Sequence, residues 1–243
     1  MAAAQGIMLA MGVVRKRVLG AMVLLLVVAS ACATGATVTR GHVDTSLCAS
    51  YRARAADRLA HVTGTGPRVV VIGDSWAVGR GLVAPELSWP AELQGEVHVS
   101  GFPGSGFSEQ DMAKCGRVSF ADRAPNALRD GADLVVVEGG LNDVGRSDVS
   151  ITSGFRRLMT AVAGHDVVVI GPPRAPARGD RVLRVDRLLR KLCKAAGVPY
   201  IPTLDVELDY LGDGLHPTAA GHVVFGKIVA RRIARVVPQV PAL

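Results

Sequence analysis

This sequence is poor in the residues that build metal centres, and it has no apolar run long enough to cross a bilayer. It carries four cysteines, Cys32, Cys48, Cys115 and Cys193. None stands in a C-x-x-C spacing or a Cys/His cluster, so no zinc site is expected, nor any other metal or cofactor. The main apolar run, Val18 to Val28, is shorter than the ~20 residues a spanning helix needs. Aromatic residues are scarce, ten in 243. No internal repeat is visible, which suits one domain with a sizeable core. Hydrophobic residues still make up 49% of the chain, too many for a disordered polypeptide.

What is present begins with a targeting pattern. Arg15-Lys16-Arg17 forms a basic n-region, Val18 to Val28 an apolar h-region, and Ala29-Ser30-Ala31 an A-x-A cleavage site. Residues 1–33 therefore read as a signal peptide, with Met11 an alternative start that keeps the same n-region. Cys32 directly after Ala31 also resembles a bacterial lipoprotein box, although Ala29 stands where such boxes carry a larger aliphatic residue. Residues 34–47 read as a small, Gly/Thr-rich tether, and 48–243 as a single domain. The expected location is secreted or in the cell envelope. Export implies an oxidising compartment. Cys193 lies with Leu188, Leu189, Leu192 and Ala196 on a buried helical face, which leaves Cys48–Cys115 as the preferred disulfide.

The formal charge is +7. Arg15, Lys16 and Arg17 supply three of these charges and residues 1–33 hold no acid, so the remainder carries 7 − 3 = +4. Arg184, Arg187, Lys191 and Lys194 recur at helical spacing. They read as a solvated face or as a stripe attracted to anionic envelope lipid or polymer. No nucleic-acid partner is expected, and the sequence is silent on oligomeric state.

Ser46 to His61 reads as a helix. Short β-branched runs bounded by Gly, Pro or Asp follow: Val69–Ile72, Val97–Val99, Leu134–Val137, Val167–Ile170 and Tyr200–Ile201. Helical patterns lie between them. Phe155, Leu158, Met159 and Val162 share a face before the fourth strand, and Val182, Val185, Leu189 and Leu192 before the fifth. A last helix starts near Pro217 and carries Val223, Val224, Ile228 and Ile233. Alternating buried strands and amphipathic helices argue for an α/β fold, a parallel sheet with helices on both faces. Sites in such folds gather where strands end.

Polar motifs fall at those ends. Gly73-Asp74-Ser75 follows the first strand, Ser100-Gly101-Phe102-Pro103-Gly104-Ser105-Gly106 the second, and Gly139-Gly140-Leu141-Asn142-Asp143 the third. Asp213-Gly214-Leu215-His216-Pro217 precedes the last helix. Ser75 needs a base to be nucleophilic near neutral pH. His216 can take its proton, and Asp213, three residues earlier, can fix the imidazole tautomer. Gly104 lets the backbone approach a developing oxyanion, Asn142 offers an amide, and the N–H of Ser75 is a third donor. Taken singly, each motif is an ordinary turn, loop or cap; together and in this order they form a nucleophile, a base and an oxyanion site. Asp74 and Asp143 read as loop-bonding residues. Glu138 is either a buried acid near the site or a simple strand-end carboxylate. His98 reads as a strand residue and His222 as a helix-face residue. Trp76, Phe102 and Phe107 stand beside the motifs and suggest walls of a substrate pocket, with core packing equally open for the two phenylalanines.

Gly73-Asp74-Ser75, Gly104, Gly140-Leu141-Asn142-Asp143 and Asp213-Gly214-Leu215-His216-Pro217 resemble the four blocks of the SGNH (GDSL-type) hydrolase family, over about residues 68–235. The resemblance implies a flavodoxin-like, three-layer α/β/α fold with a five-stranded parallel sheet. It also implies a serine esterase, lipase, thioesterase or carbohydrate deacetylase acting on a small-molecule, lipid or glycan ester. By that resemblance Ser75 is the nucleophile, His216 and Asp213 complete the triad, and Ser75, Gly104 and Asn142 form the oxyanion hole. Trp76 replaces the leucine of the family name, and Gly101 and Gly106 compete with Gly104. The G-x-S-x-G elbow of α/β-hydrolases is missing. An envelope acyltransferase using the same acyl-enzyme, and a non-catalytic envelope-binding protein, are the rival readings.

Overall fold

The β-branched runs become the sheet. In the computed structural model, which describes residues 45–237, the strands are β1 (Arg68–Gly73), β2 (Glu96–Gly101), β3 (Leu134–Glu138), β4 (Val167–Ile170) and β5 (Tyr200–Ile201). The signal segment 1–33 with Cys32, and the tether as far as residue 44, lie outside the described residues. All neighbouring strands pair in parallel, in the order β2-β1-β3-β4-β5. This is the flavodoxin-like order that the family resemblance implies. Strands β1 and β3 sit at its centre, and their side chains are almost all buried. That explains why they read as unbroken apolar runs rather than alternating ones.

Residues 45–60 form the first helix, α1. The others are α2 (Phe120–Ala127), α3 (Asp148–Ala161), α4 (Val182–Ala196) and α5 (Ala219–Val236). Crossovers between parallel strands are right-handed. The chain moves one way from β1 to β2 and the opposite way from β2 through β3 and β4 to β5. Its connections therefore fall on opposite faces of the sheet. Helices α2, α3 and α4 pack side by side, while α5 packs on the short 3-10 turn Trp89–Glu92 of the β1–β2 connection.

Two helices differ from the sequence reading. Helix α2 was not among the helical patterns read from the sequence; it is short and carries Pro125 within it. Its start is set by Ser119 and Asp122, which satisfy each other's backbone N–H groups in a capping box. Helix α5 begins at Ala219, two residues past Pro217, because Thr218 caps it by accepting from the N–H of Gly221. Its buried face is Gly221, His222, Phe225, Gly226, Val229 and Ile233, while Val223 and Val224 are exposed. Close packing selects that face: a side chain at Gly226 would meet the carbonyl of Trp89 at 2.4 Å.

Cys48 and Cys115 form a disulfide that ties α1 to the loop after β2, beneath a small cluster with Phe102 and Val118. Cys193 is a free, buried thiol on α4, its pKa pushed up to about 12 by burial. The basic stripe on α4 is partly engaged, since Arg184 pairs with Asp148 and donates to the carbonyl of Arg146.

Candidate active site

Strand β1 ends in bare backbone for a steric reason. A Cβ on Gly73 would lie 2.5 Å from that of Ala77 and 3.2 Å from Oε2 of Glu138. The chain then turns around Asp74. This residue is fully buried, and its Oδ1 accepts from the N–H of Trp76 at 2.8 Å. The turn presents Ser75, whose Oγ donates to Nε2 of His216 over 3.0 Å. Nδ1–H of His216 donates to Oδ2 of Asp213 at 2.6 Å, and Oδ1 of Asp213 accepts from the N–H groups of Leu215 and His216. These bonds fix the tautomer that leaves the Nε2 lone pair facing the serine hydroxyl.

Trp76 stitches these segments together. Its Nε1–H donates to the carbonyl of Leu215 at 3.1 Å, across 139 residues of sequence. Its ring packs edge-on against Phe225 and Tyr210. It is 1% exposed and therefore not a pocket wall, contrary to the sequence reading. For Phe102 and Phe107, where pocket wall and core packing were equally open, the structure supports core packing. Phe102 is buried in the disulfide cluster, and Phe107 is buried between Phe120 and Phe155.

At the end of β3, Asn142 is half-buried. Its amide donates to Oδ2 of Asp74 at 3.0 Å and to the carbonyl of Ser105 at 2.8 Å. Both amide hydrogens are engaged in this state, so donation to an oxyanion requires one of them to be shared or released. Gly104 has φ +78°, and a Cβ there would meet the Met112 side chain at 2.3 Å. Among the described residues no backbone carbonyl accepts from the N–H of Gly104 or of Ser75. The competing glycines serve other ends: Gly101 closes on Val78, and Gly106 lies where the Oδ2 atoms of Asp111 and Asp143 converge, 2.3 and 2.6 Å from an added Cβ.

Burial and charge set the ionisation. Asp213 is pushed up by its partial burial, but hydrogen bonds from the His216 backbone, the His216 ring and the Leu215 N–H outweigh this and hold it at about 2. His216 is lowered, first by burial and further by the fields of Arg80 and Arg178, with Asp213 opposing. It is therefore a neutral base at neutral pH. Burial raises Asp74 to about 7 against the N–H of Trp76 and the charge of Arg123. Glu138 is a fully buried acid, raised well above the carboxylate range by burial and by Asp74. Asp143 accepts from the N–H groups of Phe107 and Ser108, and burial together with Asp111 raises it as well. His222 is buried rather than on an open helix face. Its Nδ1 accepts from the N–H of Trp89, and burial lowers it to about 4.

Arg123 was not legible in the sequence. Reaching up from α2, this buried guanidinium donates to the carbonyl of Gly73 at 2.8 Å, to Oγ of Ser100 at 3.0 Å, to Oγ of Ser105 at 3.1 Å, and to the carbonyl of Ser100. It thus joins the ends of β1 and β2 to the Gly104 loop. The capping box of α2 is the one sequence signal that pointed near it. Asp111 and Met112 were also missed, since each gains its place through long-range contacts.

With this geometry in view, the comparison with known proteins is decisive. Residues 71–224 match the family model described as GDSL-like lipase/acylhydrolase. The chain belongs to that family. It is accordingly an ester hydrolase. Solved structures share its fold. An aryl esterase of M. smegmatis in an inhibitor-bound form aligns at 22% identity and TM-score 0.60, over 71% of this chain and 100% of that one. A carbohydrate acetylesterase from Sinorhizobium meliloti aligns at 19% identity and TM-score 0.58, over 70% and 100%. A candidate arylesterase from Agrobacterium tumefaciens aligns at 26% identity and TM-score 0.58, over 72% and 100%. No curated protein matches the chain.

Arg123→Met would remove the guanidinium's bonds to the carbonyls of Gly73 and Ser100 and to the hydroxyls of Ser100 and Ser105, leaving the Gly73 carbonyl with the N–H of Phe102. Each lost bond to a charged donor is worth about 1.5–3 kcal/mol, less where another partner remains. The variant should lose about 3 kcal/mol, lowering Tm by on the order of 10 °C. A Tm within about 2 °C of the parent protein would show that Arg123 does not hold the strand ends together.

Proposed function

We propose that the protein is an exported serine esterase that cleaves carboxylic esters through an acyl-enzyme on Ser75. The observation that carries this reading is the unbroken line from Ser75 Oγ to His216 Nε2 and from His216 Nδ1 to Asp213 Oδ2. Ser75 Oγ attacks the ester carbonyl and its proton passes to Nε2 of His216. The carbonyl oxygen becomes an oxyanion facing the N–H groups of Ser75 and Gly104 and the amide of Asn142. As the tetrahedral intermediate collapses, the alkoxide leaves with the proton held on His216. Water then attacks the acyl-serine, again losing its proton to His216, and the acid departs. Asp213 keeps the ring oriented and stabilises its positive form. The neighbours described as an aryl esterase and a carbohydrate acetylesterase favour small esters as substrates.

Ser75→Ala should abolish hydrolysis of p-nitrophenyl acetate with the Tm unchanged, and full activity in that variant would remove Ser75 from the reaction. Asn142→Ala should lower kcat by on the order of 10²–10³. A loss smaller than about threefold would take Asn142 out of the oxyanion hole.

The pH profile follows from the field around His216. Activity requires the neutral ring, so kcat/KM should rise with pH. Because burial, Arg80 and Arg178 lower this histidine, the midpoint should lie below the ordinary value of 6.5. Asp213→Asn removes the group that opposes the lowering and should move the midpoint further down. A midpoint at or above 6.5 would contradict the assignment of His216 as the base.

Export rests on the basic, apolar and small-residue pattern of residues 15–31 and fits the disulfide in the structure. Terminal sequencing of the protein from the culture medium or envelope fraction should find the chain starting after Ala31. Recovery only of uncut protein from the cytoplasm would overturn this.

A further inference from the structure

A cavity of about 390 Å³ opens against Gly104 and Asn142, and neither Ser75 nor His216 lines it. Under the esterase reading this position has a chemical meaning. The departing alcohol takes its proton from Nε2 of His216, so the alcohol lies on the histidine side. The acyl substituent then runs to the side bordered by the oxyanion donors, which is this cavity.

The accessible lining of the cavity is apolar for its larger part, with charged groups set into it. Met112 and Ala113 are the apolar side chains that line it, whereas Lys114 and Arg146 bring two cations. The lining carboxyl, Asp111, is turned into the protein. It is 2% exposed, its Oδ1 accepts from Nε of Arg146 at 2.6 Å, and its Oδ2 converges with that of Asp143 on Gly106. Arg146 also donates through Nη2 to the carbonyl of Gln110, which leaves Nη1 without a partner among the described residues. The guanidinium is thus aimed by Asp111 and Gln110 and keeps one N–H edge uncommitted. Met112, at φ +53°, is the non-glycine residue with left-handed backbone among those described. That strain is held by the disulfide at Cys115 and the ion pair at Asp111, so the wall is a fixed one. Lys114 is exposed at the rim.

We propose that the acyl group cleaved from Ser75 ends in a carboxylate held by Arg146, making the substrate a half-ester of a short dicarboxylic acid such as succinate. Hydrolysis breaks the ester C–O bond. Water gives its hydroxyl to the acyl carbon and a proton to the alcohol, the products are the alcohol and the dicarboxylic acid, and no redox partner is involved. Arg80 and Arg178 on the histidine side add to the positive field that draws such an ester in.

The test compares ethyl hydrogen succinate with ethyl succinamate, in which a neutral amide replaces the carboxylate, by following the ethanol released. A charge-assisted contact should favour the succinate half-ester in kcat/KM by on the order of tenfold. Arg146→Gln should reduce that ratio to less than about threefold. The ratio is internal to each variant, so a general loss of activity does not mimic the effect. Equal turnover of the two esters by an enzyme that hydrolyses p-nitrophenyl acetate would overturn this proposal and leave the esterase reading standing. A preference that survives the Arg146 substitution would overturn it as well. Turnover of no ester, p-nitrophenyl acetate included, would overturn the esterase reading and this proposal with it.

Discussion

The site depends on one buried carboxyl group. Asp74 sits between the ends of β1 and β3, where the sheet reverses its winding, and it holds both sides. One oxygen accepts the N–H that shapes the Ser75 turn, and the other accepts the amide of Asn142. Ionising the group strengthens both bonds but carries a charge into a site with no solvent contact, and the balance lies near neutral pH, at about 7. Arg123 offsets part of that cost from the far side of the turn, where it also satisfies the carbonyl of Gly73. The serine, the amide and the Gly104 loop are therefore fixed to one another by a single polar cluster.

Much of this was legible because parallel sheets write themselves plainly. β1, β3 and β4 are runs of Val, Leu and Ile, and the polar blocks stand directly at strand ends, where the fold puts its ligands. The Asp213–His216 spacing is a local feature, since one turn of chain suffices to bring the two together. What was hidden is non-local. Arg123 is an unremarkable arginine in a helix with a proline inside, and its role appears only once three segments meet around it. The aromatic residues misled for a related reason. A tryptophan beside a catalytic motif can face either side of the turn, and sequence spacing does not say which. The burial of Trp76 follows from Phe225 and Leu215, more than 130 residues away. The face of α5 was misread because its interface uses Gly226 and His222, which hydrophobic periodicity does not count.

The disulfide reaches further into the site than a clamp on one helix would. It fixes α1 against the segment that carries Asp111 and Met112. Tyr51 of α1 in turn accepts from Nη1 of Arg80, with the guanidinium lying over its ring. A helix that contributes no member of the triad thereby sets one wall of the cavity and orients a cation beside the base.

Those cations pose a physical question. A positive field at His216 lowers its basicity and opposes the imidazolium that forms when Ser75 gives up its proton. A site built only to deprotonate serine gains nothing from Arg80 and Arg178. Asp213 outweighs the arginines, since it bonds the ring directly while they act through space, and burial is what leaves the ring lowered. The arginine field makes sense if it does something else. The charges of Arg80 and Arg178 act on the base, and Lys114 and Arg146 line the acyl cavity, so cations border both ends of the path of a bound ester. A negatively charged substrate would bind along that path and screen the arginines from the ring. His216 would then be more basic in the complex than in the free enzyme, and part of the electrostatic cost would be recovered when substrate is bound.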